Sequence, residues 1–155
     1  MRAWYDIAGQ TIDTKQDEPG IRTSQAAIEA LITQEVERGV PHKNIFLAGF
    51  SQGGAIALHT GLRQAIPLGG VLALSTYLPL SKIAANEVLP TTKATPFFMA
   101  HGNNDSVVPF SLGISSRDTL IKLGYNVEWH NYNMQHSVCE QELLDIQTWL
   151  SKQLN

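Results

Sequence analysis

Short strand-like runs alternate with longer segments of helical periodicity along most of this chain. The four predicted strands are Ile45–Phe50, Gly70–Ser75, Pro96–Ala100 and Val127–Tyr132. The predicted helices are Ile21–Arg38, the segment that follows Ser51 and has ended by Pro67, Ser111–Leu123 and Glu140–Leu154. Short, wholly apolar runs are typical of parallel strands that are covered on both faces. The alternation therefore predicts an α/β domain with a mainly parallel sheet.

Three segments lack a clear period. Met1–Glu18 has aromatic residues at Trp4 and Tyr5 but predicts irregular backbone, and the segment from 133 to 138 predicts a loop. Thr76–Thr95 contains two prolines and predicts mostly loop, with a short helix around Lys82.

Composition limits the classes of protein to consider. A chain of 155 residues with 43% apolar content is long enough for one domain with a real core, so we expect residues 1–155 to form a single domain. A formal charge of −3 with scattered cations offers no basic stripe for nucleic acid. A single cysteine, Cys139, excludes an internal disulfide, and neither a membrane-spanning run nor a signal peptide is visible. We therefore expect a soluble, cytoplasmic protein without a membrane span.

The join between the first predicted strand and the next helix has the form of a nucleophile elbow. Ser51 directly follows the apolar strand, and Gly49 and Gly53 flank it in the pattern G-x-S-x-G. Such a tight turn strains the serine backbone, and small neighbours allow strand and helix to approach each other. The N-terminus of the new helix would present backbone N–H groups where negative charge develops during acyl transfer.

Two further strand ends carry groups that complete an acyl-transfer site. His101 and Asp105 follow the third strand, and His136 follows the fourth. Functional loops of parallel sheets lie at the carboxyl ends of the strands, and acyl transfer needs a nucleophile, an imidazole base and an orienting carboxylate. Ser51, Asp105 and His136 occur in the chain order Ser, Asp, His, as in α/β-hydrolases. They are the predicted catalytic triad.

Alternative roles remain open for several of these side chains. Asp105 lies in GNND, where an aspartate also closes turns. His101 could serve as the base or as a metal ligand, although no second ligand occurs at a suitable spacing, which favours a structural histidine. Cys139 near the start of the last helix could have a lowered pKa, although burial as a small apolar residue is the favoured interpretation.

Four segments of the chain resemble one known family. They are GFSQGG at 49–54, LSTYLPL at 74–80, HGNNDSVVP at 101–109 and MQHSVCEQEL at 134–143. The chain resembles the phospholipase/carboxylesterase branch of the α/β-hydrolases, which includes acyl-protein thioesterases. The resemblance implies a three-layer α/β-hydrolase-like sandwich with a shortened, mainly parallel sheet. It also implies hydrolysis of carboxylic esters, thioesters or lysophospholipids by a serine triad, without a cofactor or metal.

The same resemblance assigns roles to individual residues. Ser51 is the implied nucleophile, Asp105 the acid and His136 the base, and Gln52 occupies the position whose backbone N–H is one oxyanion donor. By their position beside the site, Leu78, Val107 and Val108 are expected to form an apolar wall for the acyl group of the substrate.

The family pattern includes a substantial segment upstream of the position that matches Met1. Without that segment, at most one of the usual oxyanion donors would come from this chain, and Ile45–Phe50 would form a bare sheet edge. We therefore expect a homodimer through the exposed edge.

A non-catalytic or weakly active remnant that acts as a binding module is the alternative to an enzyme. A flavodoxin-like binding domain has less support, because no glycine-rich phosphate loop follows an early strand.

Overall fold

A computed structural model describes residues 3–6 and 16–154. Its helices are α1 (Glu18–Glu37), α2 (Gln52–Gly61), α3 (Ser81–Glu87), α4 (Phe110–Lys122) and α5 (Glu140–Leu154), and its strands are β1 (Phe46–Phe50), β2 (Gly70–Leu74), β3 (Phe97–Gly102) and β4 (Val127–Tyr132). Short 3-10 helices occupy His42–Asn44 and Pro90–Ala94. The predicted irregular segment Met1–Glu18 lies mostly outside the described residues, and α1 already begins at its last residue.

The four strands form one parallel sheet in the order β1-β2-β3-β4, as the alternating pattern predicts. β1 and β4 are therefore the edge strands of the described sheet, and β1 is partly exposed, with Phe50 at 38%. The third strand continues beyond its predicted end at Ala100, because His101 and Gly102 pair with Asn131 and Tyr132 of β4.

Alternate residues of the central strands enter two separate apolar layers. Val71, Phe97 and Met99 pack with residues of α2 and α4 on one face of the sheet. Leu72 and Phe98 pack on the other face against Trp149 of α5, which is 2% exposed. Period-two alternation in a sheet that is covered on both faces gives a three-layer α/β sandwich, as expected from the sequence.

The described N-terminal residues pack beside the start of α2. The Tyr5 and Tyr77 hydroxyls are 2.5 Å apart, and the Ser24 hydroxyl of α1 donates to the Trp4 carbonyl. The Asp17 side chain caps α1 by accepting from the Gly20 N–H at 3.0 Å. These contacts connect the segment 3–6 to α1 and to the chain after β2.

The two glycines of G-x-S-x-G have different packing environments. A Cβ at Gly49 would overlap the backbone of Gly53, since β1 and α2 approach each other most closely there. A Cβ at Gly53 would meet only the Trp4 indole nitrogen, at 3.6 Å. Close approach of backbone to backbone therefore requires glycine at position 49 but not at position 53.

This difference predicts the stabilities of two matched variants. Gly49→Ala should lower the free energy of unfolding by about 1–3 kcal/mol, because the added methyl overpacks the contact between strand and helix. Gly53→Ala should leave it unchanged or raise it slightly, since alanine favours helix and an ordinary contact is available. Urea unfolding followed by circular dichroism measures both values, and equal losses in the two variants would contradict the packing described.

Candidate active site

Ser51 lies between β1 and α2 in a strained backbone conformation with positive φ, at φ 54° and ψ −121°. Its N–H donates to the Leu74 carbonyl of β2 at 2.9 Å. Its own carbonyl accepts from the Ala55 N–H at 3.1 Å and from the Thr76 hydroxyl at 2.6 Å. A non-glycine residue persists in this region only where its surroundings fix it, and such strain is concentrated at functional sites. This is the strained elbow that the sequence predicts.

Gln52 is the first residue of α2, and its side chain bridges the N-terminal segment. The Gln52 carboxamide oxygen accepts from the Trp4 N–H at 2.9 Å, and its amide nitrogen donates to the Tyr5 carbonyl at 2.7 Å. The backbone N–H of a first helical residue has no partner within its helix and carries the positive end of the helix dipole. It is therefore free to donate to an anion that forms beside Ser51.

Asp105 follows β3, and its two oxygens have different partners. Oδ1 accepts from the Val107 and Val108 N–H groups at 2.9 and 2.8 Å. Through this oxygen Asp105 also closes a turn, which is the alternative role that the sequence suggests. Oδ2 accepts from His136 Nδ1 at 2.8 Å. Burial raises the pKa of the Asp105 carboxyl, but the hydrogen bonds from His136, Val108 and Val107 outweigh burial and hold that pKa below its ordinary value. The carboxylate therefore stays ionised at neutral pH.

His136 lies in the loop between β4 and α5, and its side chain is 17% exposed. Its ring contacts the ring of Phe50, the residue before Ser51, with centroids 4.6 Å apart. Since Nδ1 donates to Asp105, Nε2 is the nitrogen available as a base. The described hydrogen bonds do not include one between the Ser51 hydroxyl and His136. The structure thus brings Asp105 and His136 into direct contact and places His136 against the neighbour of Ser51.

His101 is buried at the end of β3, where its Nε2 donates to the Val108 carbonyl at 2.9 Å. The same nitrogen lies 3.5 Å from Asp105 Oδ2. This histidine closes the loop that carries Asp105, in agreement with the structural role favoured from the sequence. Within residues 3–6 and 16–154, no group of three or more His, Cys, Asp or Glu side chains could hold a metal ion.

His59 is fully buried in α2, and its Nε2 lies 2.9 Å from the Gln25 side-chain oxygen. Burial lowers the pKa of His59 to about 3, so this ring is neutral in the folded protein. His59 is therefore a packing residue of α2.

The three residues predicted to form an acyl wall lie in different environments. Leu78 and Val108 are both 3% exposed and belong to separate core clusters, whereas Val107 is 56% exposed. Of the three, only Val107 offers substantial free side-chain area to a ligand. An acyl-binding role for the set stays a prediction.

Thr76 is the site residue that sequence reasoning missed. It is 1% exposed, and its hydroxyl bonds to the backbone of Ser51 rather than to another side chain. The segment LSTYLPL marks the region as part of a motif, but nothing in the sequence pairs a threonine hydroxyl with a carbonyl in a different loop.

Comparison with known proteins identifies relatives that share this arrangement of elements. A model of the phospholipase/carboxylesterase family matches residues 1–154. The chain is 44% identical to acyl-protein thioesterase 1 of Neurospora crassa, over 99% of this chain and 66% of that protein. It is 39% identical to acyl-protein thioesterase 1 of Yarrowia lipolytica, over 99% of this chain and 70% of that protein. The chain thus spans about two thirds of the length of these curated relatives.

Solved structures agree with this relationship. The crystal structure of Arabidopsis thaliana SOBER1 superposes with a TM-score of 0.93 at 31% identity, over 100% of this chain and 75% of that chain. The structure of Zea mays acyl-protein thioesterase 2 gives 0.87 at 26% identity, over 99% of this chain and 73% of that chain. The chain therefore belongs to the phospholipase/carboxylesterase family of hydrolases and has its α/β-hydrolase fold.

Proposed function

We propose that this chain hydrolyses carboxylic esters or thioesters through an acyl-enzyme formed on Ser51. The observation that carries the proposal is the 2.8 Å hydrogen bond between His136 Nδ1 and Asp105 Oδ2, beside the strained turn at Ser51. A buried carboxylate that holds an imidazole in one tautomer is the arrangement that activates a serine hydroxyl.

In the first half of the reaction, His136 Nε2 accepts the Ser51 hydroxyl proton while Oγ attacks the substrate carbonyl carbon. The Gln52 N–H donates to the oxyanion of the tetrahedral intermediate. Collapse of that intermediate breaks the bond to the leaving alcohol or thiol, which receives the proton from His136. The acyl group then remains on Ser51 as an ester.

In the second half, water replaces the leaving group. His136 accepts a proton from the water, whose oxygen attacks the acyl-enzyme, and the Ser51 oxygen leaves with that proton. The carboxylic acid is released and the serine hydroxyl is restored. Asp105 stays ionised and orients the imidazole throughout, so the proposed reaction uses no metal or cofactor.

The names of the similar proteins support an acylated substrate, since three of those compared are acyl-protein thioesterases. We propose that the acyl group contacts Val107, whose side chain is 56% exposed two residues after Asp105. We propose that Leu78 and Val108 contribute only as support from the core, because each is 3% exposed and they lie in separate apolar clusters.

The alternative, a binding module without turnover, has less support. The hydrogen bond between Asp105 and His136 fixes the tautomer of an imidazole, as acyl transfer requires, and a binding surface has no such need. Relatives named as enzymes favour the hydrolase further.

Labelling with a fluorophosphonate tests the nucleophile. The adduct should map by mass spectrometry to the peptide that contains Ser51, and Ser51→Ala should abolish it, because the reagent needs an activated serine.

Asp105→Asn should lower kcat for a p-nitrophenyl or thioester substrate by about 10³–10⁴-fold, since it removes the group that fixes the imidazole tautomer.

Ser106→Ala is the matched control, because Ser106 is an exposed serine in the same loop as Asp105 and should label and turn over like the wild type. An adduct on a different serine, or labelling that persists in Ser51→Ala, would refute the assignment of the nucleophile.

We also propose that two copies associate through β1. This strand has a partner on only one side in the described sheet, and a largely apolar groove of about 310 Å³ lies between α1, β1 and α2. Leu31, which lines the groove, is 55% exposed. A two-fold axis would pair the two β1 strands antiparallel and cover both grooves.

Light scattering across a dilution series tests this association. The wild type should approach the dimer mass as concentration rises, and Leu31→Glu should remain monomeric, because it places a charge in the groove. Leu143→Glu, at a site 57% exposed on α5, should dimerise normally. A wild-type mass that stays monomeric at the highest concentration would exclude the dimer.

A further inference from the structure

Thr76 contacts the Ser51 carbonyl, a group that has no role in the proposed reaction as described above. Its side chain is almost fully buried, and its hydroxyl donates to the Ser51 carbonyl at 2.6 Å. That carbonyl belongs to the peptide unit whose other polar group is the Gln52 N–H. A trans peptide unit is planar, so its C=O and N–H point in opposite directions. Fixing the Ser51 carbonyl therefore fixes the direction of the Gln52 N–H.

We propose that Thr76 is a positioning residue, which orients the Gln52 N–H toward the oxyanion through the Ser51–Gln52 peptide. The inference rests on the proposed function, in which that N–H is an oxyanion donor. A hydrogen bond to the carbonyl also polarises the peptide unit, so the N–H becomes a better donor. Both effects matter most when negative charge has developed on the substrate oxygen.

The backbone around Thr76 is built to bring its hydroxyl to this point. Ser75, the preceding residue, has φ 46° and donates its N–H to the Ala100 carbonyl at 2.8 Å. The chain therefore turns sharply at the end of β2, and the Thr76 hydroxyl reaches the carbonyl of Ser51, the residue that follows β1. A Cβ at Gly54 would come within 2.8 Å of Thr76 Cγ2, so the glycine leaves room for the threonine methyl. The positive φ at Ser75 and the missing side chain at Gly54 together allow the Thr76 hydroxyl to reach the Ser51 carbonyl.

The Ser51 carbonyl has a second donor, the Ala55 N–H at 3.1 Å, which is the first bond of α2. Loss of Thr76 would therefore loosen the peptide plane but not release it. Loss of a whole oxyanion donor costs about 10²–10³-fold in kcat, and a loosened donor should cost less.

Thr76→Val removes the hydroxyl and keeps the shape of the side chain. We expect it to lower kcat and the rate of fluorophosphonate acylation roughly 10-fold, with KM changed less than about twofold, since the interaction acts on the transition state. Thr76→Ser keeps the hydroxyl and should stay within about twofold of the wild-type kcat. If Thr76→Val does not fold, Thr76→Ala carries the same expectation.

Thr92→Val is the control for the general loss of a buried threonine hydroxyl. Thr92 is 0% exposed, and its hydroxyl donates to the Leu89 carbonyl at 2.7 Å, in the 3-10 helix before β3. It should lower Tm by about 2–4 °C without changing kcat. Unchanged kcat in Thr76→Val, or an equal loss of kcat in Thr92→Val or Thr76→Ser, would overturn the inference.

The same experiment separates this inference from the proposed function. Wild-type labelling at Ser51 with no rate change in Thr76→Val would refute the positioning role alone. Absence of labelling at Ser51 in the wild type would refute the proposed function, and the inference with it.

Discussion

The strained backbone at Ser51 is the constraint on which the rest of the proposed site depends. A positive φ at a non-glycine residue costs about 1–3 kcal/mol and persists only when neighbouring groups fix it. Three hydrogen bonds do so here, to the Leu74 carbonyl and from Ala55 and Thr76. Their partners come from β2, from α2 and from the chain that leaves β2. The parallel pairing of β1 with β2 is therefore needed to hold the backbone of Ser51 in its strained conformation.

The proposed acid–base pair, Asp105 and His136, is fixed in a similar way at the ends of β3 and β4. Asp105 uses one oxygen to fix its own loop and the other to orient His136, so the carboxylate cannot move without breaking both sets of bonds. His101 closes that loop by donating to the Val108 carbonyl. The His136 ring in turn packs on Phe50, at the end of β1 and directly before the proposed nucleophile. The side-chain hydrogen bond between Asp105 and His136, together with one aromatic contact, thus connects the ends of β1, β3 and β4.

The sequence predicts an element best where the signals for its bounds are local. The bounds of α5 and β4 agree with their predictions, because amphipathic period and flanking turn residues are local signals. The third strand continues beyond its predicted end because pairing with β4 supplies hydrogen bonds that sequence cannot reveal. The contact between Asp105 and His136 was predictable from chain order, whereas the bond from Thr76 to Ser51 was not. Its acceptor is a main-chain carbonyl, which leaves no trace in the sequence.

A crystal structure of the fluorophosphonate adduct would test the arrangement around Ser51 most directly, since the phosphonyl oxygen occupies the position of the oxyanion. We expect this oxygen to lie about 3 Å from the Gln52 nitrogen, with the Thr76 hydroxyl still bonded to the Ser51 carbonyl. We also expect His136 Nε2 to face the phosphorus substituents. An adduct whose phosphonyl oxygen points into solvent, with the Gln52 N–H bonded to another group, would contradict the proposed arrangement.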